Sequence, residues 1–197
     1  MASRNRVTPT GDIEAFPLRG AWTGNRGILH VGHEIVRFHA SDLWITCALE
    51  FRGRWREQWL PNRWTHLYFH DEAVSFAAGH RPCAECRRPA YRSYRDAWGG
   101  TPSAKEMNRQ LHGERIVRGT HQRRFHELPY RGLPDGVFVL VDGSPAVHVD
   151  GHLTRWTRAG YGERLTRPTG TATVITPPST VDVLRAGYPT QIDDTAR

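Results

Sequence analysis

The sequence predicts an α+β protein with an N-terminal antiparallel sheet and helices, followed by a small C-terminal β-barrel-like module. Short runs of alternating apolar residues before position 70 are typical of strands. Helix-capping residues recur between positions 71 and 118. Asp-Gly pairs, which favour tight hairpins, appear after position 130. We therefore expect one module over residues 1–129 and a second over residues 130–197.

The N-terminal strands are predicted after a loose start of about 20 residues. The runs "GILHVGHEIVRF" and "LWITCALEF" alternate apolar and polar residues, and "RWREQW" and "HLYF" continue this pattern across turn-like segments. Such short strands joined by turns favour an antiparallel sheet. Cys47 would then lie on its third strand.

Three helices are predicted after this sheet. The first, in "DEAVSFAAG", has Asp71 as its cap and Gly79 as its stop. The second begins in "CAECRRPAYRSYRDAW", with Pro89 in its first turns or at a kink. The third opens on a capping box formed by Ser103 and Glu106 and runs to about Arg118.

The C-terminal module is predicted from hairpin signals and a final helix. Asp142-Gly143 and Asp150-Gly151 separate short β-type runs. A last strand in "TATVITPP" and a short helix from Ser179 to about Ala186 complete it.

The charge of the chain favours a polyanionic partner. The net charge is +7, and 26 of the 27 basic residues are arginine, whose planar fork suits phosphate and guanine. An arginine excess also arises from a GC-rich genome. No apolar run approaches the roughly 20 residues needed to span a bilayer, and the polar start is not a secretory leader. We expect a cytoplasmic protein that is not embedded in a membrane.

The three cysteines predict a metal site. Cys83 and Cys86 form a C-x-x-C pair at the expected start of a helix, where thiolates are favoured, and such a pair can bind one Zn²⁺. Cys47 is the only other thiol. A redox pair is the alternative, although such pairs normally follow a strand in a βαβ unit. At least one histidine or carboxylate must join the three cysteines, or a water if the site is open, and the candidate histidines are His30, His66, His70, His80 and His112.

The stretch "DEAVSFAAGHRPCAECRR", with "HLYF" before it, resembles the Ada-type DNA-repair metal-binding domain over residues 65–88. The shared core is "AAG-x-RPC-x-x-C". The resemblance implies a zinc ion held by Cys83, Cys86 and a thiol from an upstream strand, for which Cys47 is the one candidate. In that family a second upstream cysteine completes the site, and one of the two accepts a methyl group from damaged DNA phosphate. The second thiol is missing here, so the resemblance implies a zinc scaffold with changed or lost chemistry.

The sequence shows two further resemblances. The whole chain resembles an uncharacterised bacterial family, which adds no function. The segments "PCAEC" and "HGE" contain the parts of a zinc nucleobase deaminase, with His112 as a ligand and Glu114 as general acid/base. Their order is reversed from that of deaminases, and positions 112 and 114 point about 200° apart on a helix. This zinc hydrolase is our alternative hypothesis, so the sequence leaves open whether the chain is an enzyme.

Two arginine stripes are candidates for nucleic-acid contact. In an extended strand Arg52, Arg54 and Arg56 would share one face. On the second helix Arg88, Arg92 and Arg95 recur at i, i+4 and i+7. A solvated helix face is the alternative for these positions.

The expected function is zinc-stabilised binding of nucleic acid, DNA rather than RNA, in repair or defence. In this hypothesis Cys47, Cys83 and Cys86 hold the metal and His112 is the candidate fourth ligand. The arginine stripes would face phosphate. A zinc-scaffolded protein-interaction module is a further alternative.

Overall fold

A computed structural model describes residues 3–53 and 57–197 of the chain. It confirms the mixed α+β class. The helices are α1 (Glu72–Ala77), α2 (Arg88–Trp98), α3 (Ala104–Arg115) and α4 (Pro178–Arg185), and a 3-10 turn spans Asp194–Ala196. The strands before α2 are β1 (Arg6–Val7), β2 (Ile13–Glu14), β3 (Trp22–Asn25), β4 (His30–Val31), β5 (Glu34–Ile35), β6 (Ile45–Cys47), β7 (Leu67–Phe69) and β8 (Arg81–Pro82). The later strands are β9 (His126–Pro129), β10 (Phe138–Val141), β11 (Ser144–Val149), β12 (His152–Thr157), β13 (Gly160–Leu165) and β14 (Thr171–Val174).

The N-terminal sheet contains both parallel and antiparallel strand pairs, so the prediction of an antiparallel sheet is wrong. Its order is β2-β1-β7-β3-β6-β8, and the pairs β1·β7 and β6·β8 are parallel. Strands β1, β2 and β3 all precede the first predicted strand, and β1 and β2 have only two residues, too few to show alternation. Cys47 therefore lies on the sixth strand, β6, and its predicted position on a third strand is wrong.

The strand predicted through "EFRGRWREQW" is interrupted in the described residues. Arg52 and Gly53 have φ values of 54° and 63°, which place them in a turn. Arg52 therefore does not lie in an extended strand. Arg54 and Arg56, the other two residues of the first predicted arginine stripe, lie outside the described residues.

The predicted helix caps are confirmed. The Asp71 carboxylate accepts a hydrogen bond of 2.7 Å from the backbone N–H of Val74, and Ser103 and Glu106 form a reciprocal capping box. Helix α2 begins at Arg88 and not at the cysteines, with Pro89 in its first turn, where the missing N–H costs nothing. None of the helices in the described residues is both long and apolar enough to cross a bilayer.

The C-terminal sheet is antiparallel with the order β13-β12-β11-β10-β14-β9. Both predicted hairpins are present, with Asp142 and Asp150 at φ values of 50° and 48° ahead of their glycines. The pairings of the described residues end at β13 and β9, so the closure of this sheet into a barrel stays a prediction.

Two apolar cores hold the sheets and helices together. The first combines Phe69 and Val74 with Phe138 and other residues of the C-terminal sheet. The second combines Phe76, Tyr94 and Met107 with residues of β10 and α4. Each core takes side chains from both sides of position 129, and the division of the chain into modules at that position stays a prediction.

Candidate metal centre

The three cysteines of the chain converge on one point. The Sγ atoms of Cys47, Cys83 and Cys86 all lie within 4.8 Å of one another, and none of the three is in a disulfide. Tetrahedral zinc with Zn–S bonds of about 2.3 Å places its sulfurs roughly 3.8 Å apart. The group can therefore hold a metal ion with small side-chain adjustments.

The pairing of β6 with β8 brings Cys47 to Cys83. Ile45 pairs with Arg81 and Thr46 with Pro82 in parallel register, so the two cysteines follow at the same end of both strands. The N–H of Cys83 donates to the carbonyl of Thr46 at 2.9 Å, which fixes this end. A Cβ on Gly24 of β3 would lie 2.1 Å from the carbonyl oxygen of Ile45, so only glycine lets β3 support β6 at this distance.

The turn before α2 brings Cys86 to Cys83. The N–H of Arg87 donates to the carbonyl of Cys83 at 3.2 Å, and the N–H of Glu85 donates to the Cys83 sulfur at 3.4 Å. Helix α2 starts two residues after Cys86, and the positive end of its dipole favours thiolates. The predicted location of the C-x-x-C pair near a helix N-terminus is confirmed.

The electrostatics of the group favour a thiolate at Cys83. Hydrogen bonds from the thiols of Cys47 and Cys86 lower the pKa of Cys83 to about 2. The same contact with Cys83, then that with Cys86 and burial, raise the pKa of Cys47. A bound divalent cation favours the thiolate form of its ligands and would replace their protons.

A cavity of about 650 Å³ opens directly onto the three sulfurs. Its apolar and aromatic walls come mainly from β6, the segment after it and the segment around β7. The side chains lining it besides the cysteines are Thr23, Asn25, Leu43, Ile45, Ala48, Leu49, Glu50, Phe51, Gln58, Trp64, His66, Tyr68 and Glu85. The centre is therefore accessible and not sealed within the core.

The predicted fourth ligand His112 is not part of this group. Its ring lies 5.1 Å from that of His39 and 6.3 Å from that of Trp44, and its Nδ1 is 3.3 Å from an Arg115 nitrogen. Among the other candidate histidines, His66 lines the cavity and stacks on Trp64 with ring centroids 4.2 Å apart. The remaining three are hydrogen-bonded elsewhere, His30 to Thr65, His70 to Trp156 and His80 to Arg26.

Glu114 has a capping role at the start of α4. Its carboxylate accepts hydrogen bonds from the N–H and the hydroxyl of Ser179, the first of these at 3.1 Å, and from the Gln110 amide at 3.1 Å. The fold therefore does not bring Glu114 and His112 together with Cys83 and Cys86. The constellation that the deaminase hypothesis requires is not assembled.

The second arginine stripe is present on α2. Arg88 and Arg92 are exposed, and Arg95 is half-buried beside Asp96 at 3.5 Å. Tyr94 is the residue of this helix that is buried in the core. The stripe therefore faces solvent, two to nine residues after the metal-binding turn.

Sequence reasoning missed a buried cationic cluster around Trp44. The guanidinium carbons of Arg26 and Arg115 lie 4.2 and 4.0 Å from its ring centroid, and all three side chains are fully buried. Burial is the largest cause that lowers the pKa of both arginines, and Arg123 adds to it. No local pattern marks an arginine as buried, because such pairing depends on distant elements.

This cluster makes the fold sensitive to acid. His80 is fully buried and accepts a 3.3 Å hydrogen bond from Arg26, and burial, then the neighbouring arginines, hold its pKa well below 6.5. Below pH 6.5 His80 binds a proton in the unfolded chain but not in the folded chain. The contribution of this group to the free energy of unfolding is therefore complete above that pH and is lost as the pH falls. We expect the free energy of unfolding of the metal-free protein to fall by up to about 1.4 kcal/mol per pH unit from this group.

Urea unfolding at pH 7.5 and pH 5 measures this loss. The His80→Gln variant retains a hydrogen-bond acceptor and should show a shallower pH dependence. His33→Gln, at an exposed position, is the matched control and should behave as the unaltered chain does. An equal pH dependence in all three proteins would contradict the prediction.

Comparison with known proteins does not assign the chain to a family. No family model matches the chain, and neither a curated protein nor a solved structure does.

Proposed function

We propose that this chain is a zinc-binding protein that binds nucleic acid, DNA rather than RNA, in repair or defence within the cytoplasm. Cys47, Cys83 and Cys86 hold the metal in this proposal. The observation that carries it is the convergence of the three sulfurs within 4.8 Å, from two separate parts of the chain.

The donor set supports zinc as the metal. Three thiolates form a soft site, and zinc is the redox-inactive ion that most often occupies tetrahedral sulfur and nitrogen sites. The ion would link β6 to the turn before α2 and so support the position of that helix. Its chemistry when bound is that of a Lewis acid.

The charge distribution supports a nucleic-acid partner. Arg88 and Arg92 are exposed next to the metal-binding turn, on a chain with a net charge of +7. Arginines on one helix face can contact successive phosphates and displace counterions. The resemblance of residues 65–88 to the Ada-type metal domain points to DNA, and it covers the segment that carries α1, β8 and the cysteine pair.

Neutralising two arginines of α2 tests the nucleic-acid part of the proposal. We expect Arg88→Gln combined with Arg92→Gln to weaken binding to duplex DNA. The negative slope of log K against log salt concentration should become shallower by about two, because roughly one counterion is released per phosphate contact. Fluorescence anisotropy over a series of salt concentrations measures this slope.

The matched control is Arg131→Gln combined with Arg164→Gln, which removes the same charge from two exposed positions outside α2. This variant should keep the slope of the unaltered chain. Equal losses in both double variants would show that net charge and not the α2 face drives binding. The absence of DNA binding by metal-loaded protein would overturn the proposal and favour the protein-interaction alternative.

A further inference from the structure

The cysteine group supplies three ligands and not four. Within residues 3–53 and 57–197, no histidine, aspartate or glutamate has a ligand atom within 4.8 Å of all three sulfurs. The residues outside those ranges are Met, Ala, Arg, Trp and Arg, and their side chains are not zinc ligands of the usual types. Structural zinc sites are closed by four protein ligands, whereas sites that bind substrate keep one position open.

The strand register keeps His66 away from the sulfurs. Thr23 of β3 pairs with Cys47 on one side and with Tyr68 on the other, so Cys47 and Tyr68 point to the same face two strands apart. Two strand spacings amount to roughly 10 Å. His66 lies two residues before Tyr68 and lines the same cavity. It therefore belongs to the wall opposite the metal centre, and the space between them is the cavity itself.

The size and walls of this cavity suit a planar organic molecule. About 650 Å³ lies within the range of small-molecule sites, which are mostly apolar with a few polar groups. Phe51, Trp64 and Tyr68 contribute aromatic rings. The Asn25 amide accepts a 3.3 Å hydrogen bond from the N–H of Gly27 through its oxygen, and its NH₂ group can donate to a ring edge. Aromatic walls with an edge-reading amide are typical of sites that hold an unstacked base.

The charge of the site selects an uncharged donor. Three thiolates and one divalent cation leave a net charge of −1 at the metal centre. An anionic ligand such as phosphate is therefore disfavoured at the metal, whereas a neutral ring nitrogen resembles the imidazole donor that zinc accepts.

We propose that the fourth coordination position faces this cavity and accepts a ring nitrogen of a nucleobase. This inference rests on the proposed function, which supplies the partner class. The base enters the cavity, while the phosphates stay outside, where Arg88 and Arg92 are exposed. The metal centre is then a site of base recognition and not only a structural clip.

The full chain loaded with Co²⁺ tests this proposal, because the visible absorption of cobalt reports its ligands. Addition of guanosine or adenosine should change the spectrum in a saturable way, and ribose should not. The Leu49→Trp variant places a large ring at a partly exposed wall position and should weaken nucleoside binding by about tenfold or more. Its cobalt content should stay at that of the unaltered chain.

Leu60→Trp is the matched control, since Leu60 is similarly exposed, at 38% against 47% for Leu49, but does not line the cavity. It should bind nucleoside within about twofold of the unaltered chain. An unchanged cobalt spectrum at saturating nucleoside, in protein that binds cobalt and DNA, would overturn this inference and leave the proposed function standing. A nucleoside response without DNA binding would instead overturn the nucleic-acid part of the proposed function.

Discussion

Replacing Cys83 with serine is expected to abolish stoichiometric zinc binding and to destabilise the protein strongly. Cys83 is the most buried of the three thiols, at 7% exposure, and its sulfur lies within 4.8 Å of both of the others. A serine hydroxyl stays protonated at neutral pH and is a poor zinc ligand. The variant therefore loses one of the three ligands through which the metal joins β6 to the turn before α2.

The size of this effect follows from the linkage between metal binding and folding. A ligand that binds only the folded chain stabilises it by about 4 kcal/mol when its free concentration is 1,000 times its dissociation constant. We expect Cys83→Ser to lose a stabilisation of roughly this size. Metal analysis of purified protein gives the stoichiometry, and urea unfolding with and without zinc gives the free energy of unfolding.

Chelation provides the control for this experiment. After removal of zinc, the unaltered chain and the Cys83→Ser variant should differ by no more than about 1 kcal/mol, because the remaining difference is that of a single side chain. Zinc should then restore stability to the unaltered chain alone. A variant that keeps one zinc ion per chain and full stability would contradict the three-thiolate site.

Replacing Glu72 with glutamine is expected to lower the free energy of unfolding by about 3–5 kcal/mol. Glu72 is 1% exposed and pairs with the buried Arg87, the residue directly after Cys86. Its carboxylate also accepts a 2.9 Å hydrogen bond from the Tyr188 hydroxyl and a 3.1 Å bond from the N–H of Gln191. One carboxylate thus connects α1, the metal-binding turn and the C-terminal segment.

Glutamine keeps the shape of the side chain, so the decrease in the free energy of unfolding measures the contribution of the negative charge. In the variant, the buried Arg87 cation would keep a neutral amide oxygen and the Trp22 ring, whose centroid lies 3.8 Å from its guanidinium carbon, but would lose the opposite charge. Urea unfolding of metal-free protein measures the change and avoids any contribution from zinc. A zinc titration of the same variant shows whether the displaced turn also weakens metal binding.

Glu14→Gln is the matched control, because Glu14 forms an ion pair with Arg158 at a more exposed place, with side-chain exposures of 29% and 66%. Ion pairs near the surface contribute about 1 kcal/mol or less. Equal decreases in the free energy of unfolding for the two substitutions would contradict the claim that burial makes the Glu72–Arg87 pair the more stabilising one.

Local signals in the sequence located the helices, the hairpins and the cysteine pair. Asp71 and Ser103 cap their helices, and Asp142 and Asp150 adopt the positive φ that their hairpin turns require. Each of these features depends on a residue and its near neighbours, so the chain order alone is sufficient to read them. The short strands β1 and β2 were missed because their pairing partners, and not their composition, define them.

The candidate metal site was also only partly predictable from the sequence. The C-x-x-C spacing predicts that Cys83 and Cys86 bind one ion, but the sequence offers five histidines as a further ligand and gives no distance to Cys47. Only the parallel pairing of β6 with β8 places that thiol at the group, and only the sheet register separates His66 from it.

The sequence by itself determined the residue types available for chemistry, the caps and turns, and the excess of arginine. The tertiary structure alone decided that Glu114 caps α4, that His112 packs against His39, and that Arg26 and Arg115 are buried around Trp44. The reason is physical: capping and turn formation act over a few residues, whereas ligand sets and buried charges require side chains far apart in the chain to meet.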